Sequence, residues 1–346
     1  MTPVYEKRHA AARWADRRVE TALRFSAHNP FVGLGRSLIA LGTLIALVCT
    51  PVEHLFYASE LRPEGRVCSG VASTIGAFCL IPPDHLDLAR WGVVLVLILV
   101  VTGFAPRFTA LPHWWVSFSF YSSSNVMEGG DQVAAVLTLL LLPVCLTDPR
   151  RWHWQKPLDR VTTRVRIVNT LSLTLVWIQV CFIYFHASIG KLAVPSWRDG
   201  TSFWYWAMYS PFGVPDHLRW LVEWLLTSGP VLVAVTWGTL LVEFLIACCV
   251  FTGHRPRYTA LGAGMILHAL IALVVGLPGF SLIMFGALVL YTVRPGDPLP
   301  QWMPSWLSAP RGHGKQKPCR GERKTLARSS QKERYNCESQ ESLRHP

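Results

Sequence analysis

The sequence predicts an all-α protein, a polytopic membrane bundle of about eight transmembrane helices with interfacial helices beside them. Three observations predict it. Of the 346 residues, 51% are hydrophobic and only 16% are charged, against about 25% charged in soluble domains. The apolar residues gather in runs of about twenty, the length that crosses a bilayer. Basic residues concentrate on alternate connections between those runs, which is the positive-inside pattern.

In chain order, Phe31–Cys49 is the first expected span and Leu88–Phe104 the second. Phe108–Ser122 is a shorter, aromatic third, and Gln132–Leu146 is the fourth. Val168–Gly190 is the fifth, Pro230–Phe251 the sixth, Tyr258–Val275 the seventh and Phe280–Val293 the eighth. Residues 1–30 form a basic N-terminal segment, 31–293 the membrane domain, and 294–346 a basic tail. The tail has too few apolar residues to bury a core and is expected to be disordered.

The N-terminal segment carries six Lys and Arg residues, the 147–167 connection six, and the tail eleven. Arg107, Arg255 and Arg257 fall in the remaining turns of that set. Glu53, Glu60, Glu64, Asp84, Asp87, Glu128 and Asp131 fall on the other set of connections. A cell-membrane, multi-pass topology with both termini in the cytoplasm satisfies this distribution. The net charge of +12 is then a topology signal. No nucleic-acid-binding motif accompanies it, so the expected contacts are membrane lipids and not nucleic acid.

Residues 194–229 hold Trp197, Trp204, Trp206, Trp220 and Trp224 among three prolines. Tryptophan belongs at headgroup level, so this stretch reads as interfacial helices. Cys68 and Cys79 share the first outer connection, where a disulfide or two thiols packed under the loop both fit. No Cys/His spacing for a metal is present, and P-loop, G-x-S-x-G and H-E-x-x-H motifs are absent.

The candidate site residues are the ionisable groups at membrane depth, where such groups are costly. Lys191 ends the fifth span, with Trp197 shortly after it. It reads either as a snorkelling anchor or as a partly desolvated amine able to act as a general base. His186 lies near the same end, and Gln179 precedes it by seven residues, nearly two turns, on the same face. Glu243 sits mid-span six and His268 mid-span seven. Both must face the bundle interior, as part of a proton relay with Lys191 or as a structural pair. Arg198 and Asp199 would pair with each other or with an anionic substrate group. Glu128 and Asp131 would stand at the outer mouth of a cavity, or Asp131 would simply cap span four. Arg36, in the first span, would snorkel to phosphates or pair with Glu243.

Tyr184-Phe-x-Ala-x-Ile-Gly-Lys191-Leu, followed by Trp197-x-Asp-Gly200, resembles the central signature of the HTTM family, the membrane domain of vitamin K-dependent gamma-carboxylase and its bacterial relatives. Glu243, Gly253-His254-Arg255, and His268 followed by Gly276-Leu-Pro-Gly-Phe-Ser281 agree with it. Glu128-Gly-Gly-Asp131-Gln132, Leu142-Pro143, Asp148-x-Arg150-x-x-His153-Trp154 and the Cys68, Cys79 pair are similar to the sporulation-delaying protein B branch. The resemblance implies Lys191 as catalytic base, with His268 beside it, and a reduced quinone as cofactor. For the branch it implies maturation of a secreted toxin peptide, with a small SdpA-like companion and the peptide precursor as partners. No large outer domain follows the last span, so glutamate carboxylation is not expected. A non-catalytic lipid- or peptide-binding scaffold stands as the alternative to an enzyme.

Overall fold

A computed structural model describes residues 27–58, 65–125, 129–156, 161–209 and 213–292. The expectations for the N-terminal segment before Ala27, for the tail and for Glu128 lie outside the described residues. Nine long helices carry the architecture, and no strand occurs among the described residues.

Helix α1, Pro30–Cys49, starts where Asn29 accepts hydrogen bonds from the N–H groups of Phe31 (3.0 Å) and Val32 (3.1 Å), with Pro30 pre-set for the first turn. Helix α2 is Leu86–Val101. It ends three residues before the expected boundary because Gly103 takes φ 79° and Ala105 φ 41°, turning the chain into α3, Pro106–Ser123. Helix α4 is Gly129–Leu146, and α5 is Thr163–Lys191, 29 residues or about 43 Å at 1.5 Å per residue. Two short turns, Pro195–Arg198 and Ser202–Met208, lead to α6, Asp216–Leu226. Helices α7, Gly229–Cys248, and α8, His254–Leu270, follow. A π turn, Ile271–Val275, extends α8 to Gly276 before α9, Pro278–Thr292.

A helix thus forms at each of the eight expected positions. Five stretches are long and apolar enough to cross a membrane: α1, α4, α5, α7 and Arg255–Val275. The protein is an all-α membrane helix bundle. Helix α9 is only 15 residues but lies among α1, α4, α5 and α8, with ten of its residues buried. A helix covered on every side is apolar all round, which explains its featureless hydrophobic sequence.

Helices α1 and α9 approach each other closely. A Cβ on Gly42 would lie 2.5 Å from the Gly279 carbonyl oxygen, and one on Gly286 would lie 2.6 Å from that of Gly35. Small residues on both helices let the backbones touch, as membrane helix pairs require.

Two apolar cores result. Residues of α4, α5, α7, α8 and α9 build one around Leu137, Val176, Tyr184 and Ala287. Helices α1, α2 and α3 build the other with Phe56 and Phe78 from the connection between α1 and α2. In that connection Cys68 and Cys79 are joined by a disulfide, with Cα atoms 5.7 Å apart. Helix α6 buries Val222 and Leu226 but exposes Trp220 and Trp224. Trp220 and Trp224 are one turn apart on the exposed side, the pattern of a helix lying at headgroup level.

Candidate functional site

A cavity of about 500 Å³ lies at the Lys191 end of the bundle. Helix α4 contributes Gly129, Gln132, Val133 and Val136 to it. Helix α5 contributes Gln179, Phe182, Ile183, Tyr184, His186, Ala187 and Lys191. Glu243 enters from α7, His268 from α8, and Phe280 and Met284 from α9.

The helical spacing makes this convergence. Gln179 and His186 are seven residues apart on α5, nearly two turns, and Tyr184 and Lys191 repeat that spacing, so each pair shares a direction. Lys191 Nζ donates to both carboxylate oxygens of Glu243, at 2.5 and 2.7 Å. The Glu243 side chain is 8% exposed and that of Lys191 26%. Nζ also lies 5.2 Å from the centroid of the buried Trp197 ring, a cation–π distance. Tyr184 OH and His268 Nε2 share a hydrogen bond of 2.8 Å. The His268 ring is flanked edge-on by Phe280 and Phe285 and is buried, and its Nδ1 has no hydrogen-bond partner.

Lys191, His186, Glu243 and His268, four expected site residues, are therefore brought to one cavity. The others are not. Arg198 and Asp199 are exposed on the turn beyond α5, and no ion pair joins them among the described residues. Asp199 accepts from the N–H (3.0 Å) and the hydroxyl (2.6 Å) of Thr201, which closes the turn leading to Gly200. Asp131 is buried within the first turn of α4, which is described from Gly129 onward. There its carboxylate meets the positive end of the helix dipole. Tyr184, part of the α5 motif, is a further site residue that its type alone does not mark. Its seven-residue register with Lys191 is the signal for it.

Chemically, the cavity holds one ammonium–carboxylate pair and one phenol–imidazole pair. As an ion pair, Lys191 has no lone pair to offer. It becomes a base only after Glu243 has taken its proton. Among the described residues, no group of three His, Cys, Asp or Glu is placed to hold a metal ion.

A second polar cluster occupies the opposite end and corrects the expectation for Arg36. Arg36 is 1% exposed and pairs neither with Glu243 nor with solvent. It donates to His153 Nε2 (2.7 Å), the Thr109 carbonyl (2.6 Å) and the Thr109 hydroxyl (3.0 Å). Asp148 and Arg150 form a buried bidentate pair alongside, with contacts of 2.9 and 2.7 Å. His153 packs on Gly33, where a Cβ would lie 2.6 Å from its own. The residues 148–155 are thereby locked onto α1 and the α2–α3 turn, with Ala105 N–H donating to the Arg151 carbonyl at 2.7 Å.

Burial, then the guanidiniums of Arg36 and Arg150, push His153 down to about 2. Burial also lowers His28, which touches Thr147 and Asn169. An unfolded histidine titrates near 6.5, so between the two values the unfolded chain binds more protons. Stability is therefore lost as pH falls below about 6.5. His153→Gln keeps an acceptor for Arg36 and removes the titration. Its melting temperature should fall less between pH 7 and pH 4 than that of the wild type, measured by thermal unfolding in detergent. Parallel curves would show that His153 does not contribute to the acid sensitivity.

No family model matches the chain, and no solved structure matches it. Two curated proteins of Bacillus subtilis (strain 168) do. The uncharacterized protein YitO is 37% identical over 280 residues, covering 79% of this chain and 89% of that protein. The sporulation-delaying protein SdpB is 33% identical over 270 residues, covering 76% of this chain and 82% of that protein.

Proposed function

Because the chain belongs to the family of the sporulation-delaying protein SdpB, we propose that it is an integral membrane factor needed to mature or produce a secreted toxin-like peptide. The observation that carries this reading is the convergence of Lys191, Glu243, His186 and His268 on one cavity of a membrane bundle. Ionisable groups gathered at membrane depth are retained for function.

In this reading the eight helices other than α6 cross the membrane and both termini are cytoplasmic. The basic residues on the 147–167 connection support that orientation. The Lys191 end then faces outward, the side on which a secreted peptide is met. A small companion protein and the peptide precursor are the expected partners.

The working step assigned to the site is proton abstraction. Glu243 takes the proton that Lys191 Nζ shares with it, and the freed amine removes a proton from the bound substrate. His268, fixed by Tyr184, stands as the next group for that proton or as a hydrogen-bond partner for the substrate.

A second reading follows from the cavity walls. Phe182, Ile183, Phe280 and Met284 are apolar, while Lys191, Tyr184 and His268 are polar. That arrangement fits the ring and hydroxyl of a quinol, so a membrane enzyme related to gamma-carboxylase is the alternative. A bound quinol would supply reducing equivalents there.

The test is mass spectrometry of the culture medium from cells producing the peptide precursor, its companion and this protein. Mature peptide should be present with the wild type and reduced about 100-fold or more with Lys191→Ala, the scale of a lost proton-transfer group. Undiminished mature peptide without this protein would refute the maturation role. A quinone co-purifying in stoichiometric amount would favour the second reading.

A further inference from the structure

We infer that the cavity opens sideways into the bilayer and takes a membrane-dissolved amphiphile, with an uncharged hydrogen-bonding head inside and its apolar tail left among lipid chains. This rests on the cavity being the functional site. It adds the route of entry and the class of ligand.

Gly129, Gln132, Phe182 and His186 are exposed, and the other lining residues are half-buried or buried. All four lie on α4 or α5, so the mouth lies between those two helices. Leu171, Leu175, Ile178, Phe182, Phe185 and Ile189 form an exposed stripe along α5 at spacings of three and four residues. A stripe of that composition on a membrane helix faces lipid. Phe182 belongs both to the stripe and to the cavity wall, so the mouth reaches the lipid-facing side. Phe182 lies nine residues below Lys191, about 13 Å at 1.5 Å per residue, within the outer half of a hydrocarbon core about 30 Å thick.

The side chains at the mouth then define the head. His186 stacks on Phe182 with ring centroids 6.0 Å apart, placing an imidazole on the lipid side of the helix. An exposed polar ring there is costly unless a polar group covers it. Gln132 and Gln179 add neutral donors and acceptors. The charged lining residues, Lys191 and Glu243, neutralise each other at 2.5 Å. A charged head therefore finds no counter-charge, whereas a hydroxyl, amide or carbonyl finds several partners. Val133, Val136, Ile183, Phe280 and Met284 suit the apolar part next to the head.

The test uses a photoactivatable primary amide with a twelve-carbon tail, and its two-carbon analogue, added to the whole protein in phosphatidylcholine vesicles. Adducts are located by peptide mass spectrometry. The tailed probe should label cavity residues about tenfold or more above the short one, because the tail concentrates it in the bilayer. Gly129→Trp, at the mouth, should lower that labelling to the level of the short probe. Equal labelling by both probes, or no labelling of cavity residues by either, would overturn the inference. In either case the effect of Lys191→Ala on the secreted peptide would still decide the role of the site separately.

Discussion

Glu243→Gln should destabilise the protein by about 2–4 kcal/mol, while the double substitution Lys191→Met with Glu243→Leu should fold nearly as well as the wild type. Removing one partner of a buried ion pair leaves a charge without compensation, which costs about 3–5 kcal/mol when both groups are fully buried. Lys191 retains 26% exposure, so part of that penalty is relieved by water or headgroups. Replacing both partners by apolar groups removes the desolvation cost along with the attraction. The two variants separate folding from function. Thermal unfolding in detergent would show the single variant lowered and the double variant restored. The restored variant should nevertheless release no mature peptide, because it lacks the exchangeable proton. A double variant as unstable as Glu243→Gln would mean that the pair is part of the packing in a way its charge alone does not explain.

Gly42→Leu should cost about 3 kcal/mol or more, the upper range for overpacking. The new side chain would meet the backbone of α9 at Gly279 and the Ile283 side chain at 2.6 Å. Backbone cannot rotate away as a flexible side chain can, so α1 and α9 must separate. Helix α9 is the central buried helix and also carries Phe280 and Met284 of the cavity wall. The substitution should therefore lower stability and widen the cavity together. Gly262→Leu is the control, since nothing lies within 4 Å of a Cβ there. Equal melting temperatures for the two variants would remove the close crossing from the account.

The positions of the helices were legible in the sequence because hydrophobic runs and basic connections are properties along the chain. Glycine turns set their ends, as at Gly103, and these moved boundaries by a few residues. Which helices meet is a property between distant residues, for which the chain offers only candidates. Lys191 and Glu243 are 52 residues apart, yet both were marked by the same rule, that ionisable groups at membrane depth face inward. The rule failed to choose partners for Arg36, which takes His153, 117 residues away. Nothing in the period of α1 points to a connection between α4 and α5. Tyr184 is not legible as a site residue, because a tyrosine in an apolar helix becomes informative only through its hydroxyl's contact with His268. Asp199 drew attention by its charge, but its carboxylate serves a local turn with Thr201.

The central claim is that Lys191 acts by giving up and regaining a proton within the cavity, and Lys191→Arg tests it most directly. Arginine can still pair with Glu243 and anchor the helix end, but it stays protonated in proteins. The measurement is mature peptide in the medium, normalised to the amount of folded variant in the membrane. Lys191→Arg should be as deficient as Lys191→Ala despite normal folding. Full peptide production by Lys191→Arg would contradict it and leave Lys191 as a structural cation.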